Sequence, residues 1–265
     1  MTGLGTFPAR DMRSDRATLS DTVAEEIGGR ILRGELASGE RLPTEQALCD
    51  LLGVSRSVVR DAVRTLAARG FVQVRQGVGT VVTAPDDSVY TQALIALLMR
   101  SDLTVGDVLE ARSAAETQIA AIAAERGSES DWIALDAELN GLTEVVEAAD
   151  WQAAYDRHLE FHLGILRAVH LPALELMLLP MQHFILVSSL PPRAGDASAW
   201  EVESHVPVLE GLRAGDPEAA RDAMKRHFEY MRTRKYGRFR ATPFREVAQL
   251  ETLAGVSARR AASRR

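Results

Sequence analysis

Residues 53–82 read GVSRSVVRDAVRTLAARGFVQVRQGVGTVV, and this stretch decides the fold of the first third of the chain. Ser55 is a good helix N-cap and Gly70 a good stop, so the segment between them is predicted helical to about Arg69. On its wheel Val59, Ala62, Val63 and Leu66 share one face. Arg60, Arg64 and Ser57 take the opposite flank, with Arg56 at the boundary. After Gly70 the pattern changes period: FVQVR and TVVT alternate as strands do, and QGVG between them signals a short hairpin. A basic helix is thus followed at once by a two-stranded ribbon.

Working outward toward the N-terminus, Leu19, Val23, Ile27 and Ile31 recur at helical spacing, closed by Gly34. The turn SGERLP leads to a short helix from Thr44 to Leu52, ended by Gly53. Residues 18–84 therefore read helix, helix–turn–helix, ribbon, which is a winged helix–turn–helix; residues 1–17 are polar and are expected to form a flexible arm. Between Val54 and Val82 there are five arginines and one acidic residue, Asp61. Taken alone, the helix could equally be a structural helix with a solvated arginine face. The ribbon behind it favours insertion into the major groove of DNA, with guanidinium donors on guanine edges and the helix N-terminus on phosphate.

The stretch from Val23 to Val82 resembles the winged-helix domain of the GntR family of bacterial transcription regulators. The resemblance rests on Gly34, Gly39-Glu40-x-Leu42-Pro43, Glu45, Gly53-Val54-Ser55-Arg56, Val59-Arg60, Leu66, Gly70 and Gly77-x-Gly79. It implies that Ser55, Arg56, Ser57 and Arg60 contact DNA and that Gln76-Gly77 reaches the minor groove. Many relatives carry arginine after the glutamate at 45, where this chain has Gln46. The operator is expected to differ at the base pair read there.

From Pro85 onward no strand pattern survives. Seven helical stretches follow, at about 87–100, 104–126, 129–148, 151–169, 172–188, 198–214 and 217–236. They are separated by Ser101-Asp102, Gly127, Asp150, Pro172, the PPRAG loop at 191–195 and Gly215-Asp216-Pro217. The fold class is mainly α: an N-terminal winged helix–turn–helix joined to an all-helical bundle over 85–236, with a basic tail over 237–265. The 265 residues carry a net charge of −6, unevenly spread. Residues 85–231 hold 10 basic and 25 acidic side chains, and residues 232–265 hold 10 basic and 2 acidic, so body and tail have separate jobs. Only 2 of the 31 basic side chains are lysine, a bias that a GC-rich genome produces without any nucleic-acid function.

The longest apolar run, Ala93 to Met99, stops at Arg100, far short of the roughly 18 residues of a membrane span. The first twenty residues contain no apolar signal core, and a cytoplasmic location is expected. The single cysteine, Cys49, rules out an internal disulfide and thiolate-rich metal sites; in ALCDLL it reads as buried filler.

Six histidines occur, at 158, 162, 170, 183, 205 and 227. His158 and His162 lie four apart and so share a helix face. His205 and His227 each stand eleven residues from Asp216, the turn of a helical hairpin, which puts them level in an antiparallel pair. Any one of them alone reads as a hydrogen-bonded histidine; the paired spacings together point to a divalent metal, which takes three or four such nitrogens.

The body resembles the FCD ligand-binding domain of the FadR subfamily, over essentially 87–236. Its anchors are Asp107-Val-Leu-Glu110-Ala-Arg112, Glu116, Phe161-His162, His205, Gly215-Asp216 and Ala219 to His227. Metal-binding members use an acidic residue four before the Phe-His histidine, together with that histidine and the two later ones. The resemblance implies His162, His205 and His227 as ligands, and His158 stands where the acid would be. An all-imidazole set favours zinc, with nickel or copper as alternatives, over manganese. Arg112 would face a small organic acid as a bidentate partner, or pair with Glu116 one turn on.

The expected function is a homodimeric, metal-dependent DNA-binding regulator, a repressor on an inverted-repeat operator, modulated by a carboxylate effector and not an enzyme. The alternative is a metal-dependent hydrolase with the winged helix as an accessory. HLEFH at 158–162 has the spacing of a zinc protease helix, but its glutamate, Glu160, sits about 200° round the helix from His158. No phosphate-binding loop or dinucleotide fingerprint occurs.

Overall fold

A computed structural model describes residues 18–86, 88–178, 202–230 and 240–247. The chain divides into two units, Met1–Val89 and Tyr90–Arg265. The expected arm over 1–17, the loop at 191–195 and most of the tail over 237–265 lie outside the described residues, as do parts of the helices expected over 172–188, 198–214 and 217–236.

In the first unit α1 spans Leu19–Leu32, α2 Glu45–Leu52 and α3 Arg56–Ala68. Each starts where a hydroxyl can satisfy an orphan N–H: Thr18 forms a capping box with Asp21, Thr44 accepts from Ala47 and Ser55 from Val58. β1 (Val72–Arg75) pairs antiparallel with β2 (Gly79–Val82), Val72 opposite Val82 and Arg75 opposite Gly79. The turn before α2 adds to this wing, because Leu42 N–H donates to Thr80 and Val82 N–H to Glu40, both at 2.9 Å. The apolar stripe predicted for α3 is buried in full: Val59, Ala62, Val63 and Leu66 pack with Val23, Ile27, Leu36, Leu48 and Val82. Cys49 is half-buried against that core.

The second unit is helical among its described residues: α4 (Ser88–Arg100, which starts at the unit boundary), α5 (Val105–Arg126), α6 (Glu129–Glu147), α7 (Trp151–Arg167), α8 (Pro172–Leu178), α9 (Val202–Arg213), α10 (Pro217–Tyr230) and a one-turn α11 (Phe244–Val247). Its core runs through α5, α6, α7, α9 and α10, from Leu109 and Ile119 to Leu142, Phe161, Leu163, Val208 and Phe228. α9 and α10 touch backbone to backbone at Gly211, where a Cβ would lie 2.8 Å from the Ala220 nitrogen. That approach keeps the hairpin closed and its two helices in register.

α11 lies inside the stretch expected to be a basic tail. Residues 240–247 instead strap the start of α5. Val105 and Gly106, the first residues of α5, donate to the carbonyls of Thr242 and Arg240, each at 3.0 Å, and Phe244 N–H donates to Leu103 at 2.8 Å. Those are N–H groups a helix start cannot satisfy internally. Gly106 permits the approach, since a Cβ there would stand 2.5 Å from Arg240 Cγ. Phe244 is 1% exposed, seated with Val108 among Leu94, Ile95, Leu98, Met99 and Leu103.

Candidate functional site

In the first unit, Ser55 caps α3 and its hydroxyl lies 2.9 Å from that of Ser57. Arg56 and Arg60 project from the exposed face and share one carboxylate, that of Glu45 at the start of α2. Arg56 Nε is 3.0 Å from Oε2 and Arg60 Nε 3.9 Å from Oε1, with the two arginine side chains 71% and 56% exposed. This shared counter-ion was not foreseen, because the arginines lie on a different helix from Glu45, eleven and fifteen residues along the chain. Gln46 is exposed and donates to Asp50. Gln76 and Gly77 sit at the exposed ribbon tip, with Gly77 at φ 73°. Arg41 donates to the carbonyl of Val78 and braces that tip from the turn before α2.

In the second unit the four paired histidines converge. His158 and His162 come from α7, His205 from α9 and His227 from α10, and all four are at least 96% buried. Ring centroids lie 4.8 Å apart for His158–His162, 5.0 Å for His158–His205, 5.4 Å for His162–His227 and 4.3 Å for His205–His227. One nitrogen from each falls within 4.8 Å of the others. Donors about 2.1 Å from a tetrahedral ion stand about 3.4 Å apart, so the widest pair closes by about 1.4 Å when the set becomes a coordination sphere. Buried imidazoles without carboxylate or thiolate are a donor set for zinc, nickel or copper, and the residues present fit such an ion. His170 is not part of the group and pairs with Asp131 at 2.8 Å; His183 lies outside the described residues.

Two of the four imidazoles are oriented from behind. Ser204 Oγ lies 2.7 Å from His227 Nδ1, and Glu116 Oε2 lies 2.6 Å from His162 Nδ1. The two atoms are close without being aligned as a hydrogen bond, so the contact is electrostatic; a proton on His162 Nδ1 would face that carboxylate and leave the Nε2 lone pair for a ligand role. The other Glu116 oxygen, Oε1, is 2.9 Å from Arg112 Nε. Burial pushes the Glu116 carboxyl up, but the Arg112 guanidinium, with the His162 ring beside it, outweighs burial and holds the carboxyl down at about 2. Arg112 is 1% exposed, with its guanidinium carbon 5.2 Å from the centre of the Phe228 ring. The one-turn pairing with Glu116 is therefore present, and it places Arg112 one carboxylate away from the histidines. Glu160 projects from the outer side of α7 to Arg167 at 3.0 Å, where it cannot serve His158 and His162 as a base. No described helix is long and apolar enough to cross a membrane.

Comparison with known proteins gives two family matches. The model described as bacterial regulatory proteins of the gntR family matches residues 19–82, and that described as the FCD domain matches residues 107–230. The HTH-type transcriptional regulator YcbG of Bacillus subtilis is 30% identical over 225 residues, covering 82% of this chain and 90% of its own. The galactonate operon transcriptional repressor of Escherichia coli is 25% identical over 217 residues, covering 77% and 91%. Among solved structures, Streptococcus agalactiae GntR superposes with a TM-score of 0.61 at 26% identity, over 80% of this chain and 98% of that one. None of these matches supports the metallohydrolase alternative.

Proposed function

The chain belongs to the GntR family of bacterial transcription regulators, in the branch whose body is an FCD domain, and from that premise we propose that it is a repressor whose grip on DNA is set by a small carboxylate bound beside a divalent metal. The observation that carries the reading is the buried set His158, His162, His205 and His227 with Arg112 one carboxylate away. His162, His205 and His227 would hold zinc, or nickel in its place, with His158 beside them, and the ion would supply a positive centre for an acid's oxygen. The protein's own part is to fix the imidazoles, exclude water and present a guanidinium that pairs with a carboxylate in bidentate fashion. The galactonate operon repressor, similar over 91% of its length, is named for an operon of a sugar acid, which supports the class of acid.

On the DNA side a homodimer would set two α3 helices into successive major-groove faces of an inverted repeat. Arg56 and Arg60 would exchange Glu45 for guanine edges and phosphate, Ser55 and Ser57 would meet the backbone, Gln46 would read one further base, and Gln76-Gly77 would enter the minor groove. An acid alters operator affinity only by its different affinity for the DNA-competent and incompetent forms. A coupling of about 1–3 kcal/mol, roughly 5–150-fold, is enough.

The test starts from an operator selected out of random duplexes. Metal content is then measured after reconstitution, and operator affinity is titrated with short hydroxycarboxylates with and without metal. Metal-dependent release by one of them, lost in Arg112→Ala, is the expected result. A chain that retains no divalent ion, or whose operator affinity no acid shifts, would sink the reading.

A further inference from the structure

We infer that Glu116 is a positioning residue that makes metal and acid binding cooperative, because its single carboxylate serves His162 with one oxygen and Arg112 with the other. This rests on the reading of the pocket as a metal and acid site. The relay is short: Arg112 Nε to Oε1 is 2.9 Å and Oε2 to His162 Nδ1 is 2.6 Å, with the arginine and histidine side chains 2% and 1% exposed and that of Glu116 15%. Phe228 stacks under the guanidinium, so water does not screen the chain of charges from that side. His227, by contrast, is backed by the neutral hydroxyl of Ser204.

Negative charge against Nδ1 raises the donor strength of the opposite nitrogen. Arg112 neutralises part of that charge while it is bound to Glu116. An incoming carboxylate that draws the guanidinium to itself leaves more of the Glu116 charge for His162, and the imidazole then holds a metal more tightly. By linkage the metal strengthens the hold on the acid by the same factor. The guanidinium therefore opposes the metal until an acid engages it, which is how a pocket with two charged ends favours filling both together.

The two residues consequently have effects of opposite sign on the metal alone, a pattern that a merely structural role does not produce. The measurement is the zinc dissociation constant of the full chain by competition with a chromophoric chelator, with thermal melts of the metal-free proteins as a folding check. Glu116→Gln should weaken zinc about 10–100-fold. Arg112→Met should tighten zinc several-fold, and the double variant should match Glu116→Gln. Ser204→Ala should weaken zinc less than Glu116→Gln does. Zinc affinity unchanged by Glu116→Gln, or weakened by Arg112→Met, overturns the coupling while leaving the metal site standing. A wild-type chain that takes up neither zinc, nickel nor manganese overturns the underlying reading instead. Should Glu116→Gln fail to fold, Arg112→Met decides alone: tighter zinc supports the relay, and equal or weaker zinc overturns it.

Discussion

Both units hold arginine against glutamate, and the two pairings are opposite in kind. On α3, Arg56 and Arg60 stand mostly in solvent around Glu45. In the bundle, Arg112 is fully buried and Glu116 nearly so, 2% and 15% exposed beside the histidines. An exposed pair is worth about 0–1 kcal/mol and is readily exchanged for another anion, whereas a buried pair is held by the cost of leaving either charge unpaired. The first arrangement suits a side chain that must let go of its partner to meet DNA. The second suits a switch that moves only when something of equal charge arrives.

The largest effect that would sharpen this contrast is expected in the bundle. Glu116→Ala should lower the stability of the metal-free second unit by about 3–5 kcal/mol, read in chemical denaturation, because it strips a buried guanidinium of its carboxylate. A loss below about 1 kcal/mol would place this pair in the same class as the exposed one. Next comes the DNA surface. Arg56→Ala and Arg60→Ala should each cost about 1–3 kcal/mol of binding to the selected operator while the melting of the bundle is unchanged. Specific binding that survives the double substitution would remove α3 from recognition.

A smaller change is expected at Gln46→Arg, which should shift the preferred base at one position of each half-site; an identical selected motif would show that residue 46 reads nothing. The smallest is Glu45→Gln. Folding stability should move by less than about 1 kcal/mol, while affinity for unrelated duplex rises as a negative charge leaves the DNA face. A large fall in stability there would mean that the exposed pair is structural after all.

The first unit was legible because its signals are local. Thr44 and Ser55 are caps within three residues of what they cap, and the stripe Val59, Ala62, Val63, Leu66 needs only helical period to be seen. The histidine cluster was legible for a related reason, since four-residue spacing on α7 and equal distance from a hairpin turn are both readable along one chain. What escaped is contact between elements that the sequence does not relate. Glu116 meets His162 from another helix, and Glu45 gathers two arginines from the next one. The 240–247 strap was hidden by averaging, because one phenylalanine in a basic, apolar-poor stretch carries no periodic pattern, although it fills a pocket completely.

That strap also sets a clock. Arg240 reaches Glu110 across 130 residues of chain and Arg245 reaches Asp102 across 143. During synthesis at about 5–20 residues per second, the beginning of α5 waits roughly 7 to 29 seconds for the segment that completes it. The winged helix, whose partners all lie within its first ninety residues, has no such wait. A newborn chain would therefore hold a finished DNA-binding head while its helical body is still open at one corner, and a stretch translated after the whole bundle is the one that closes it.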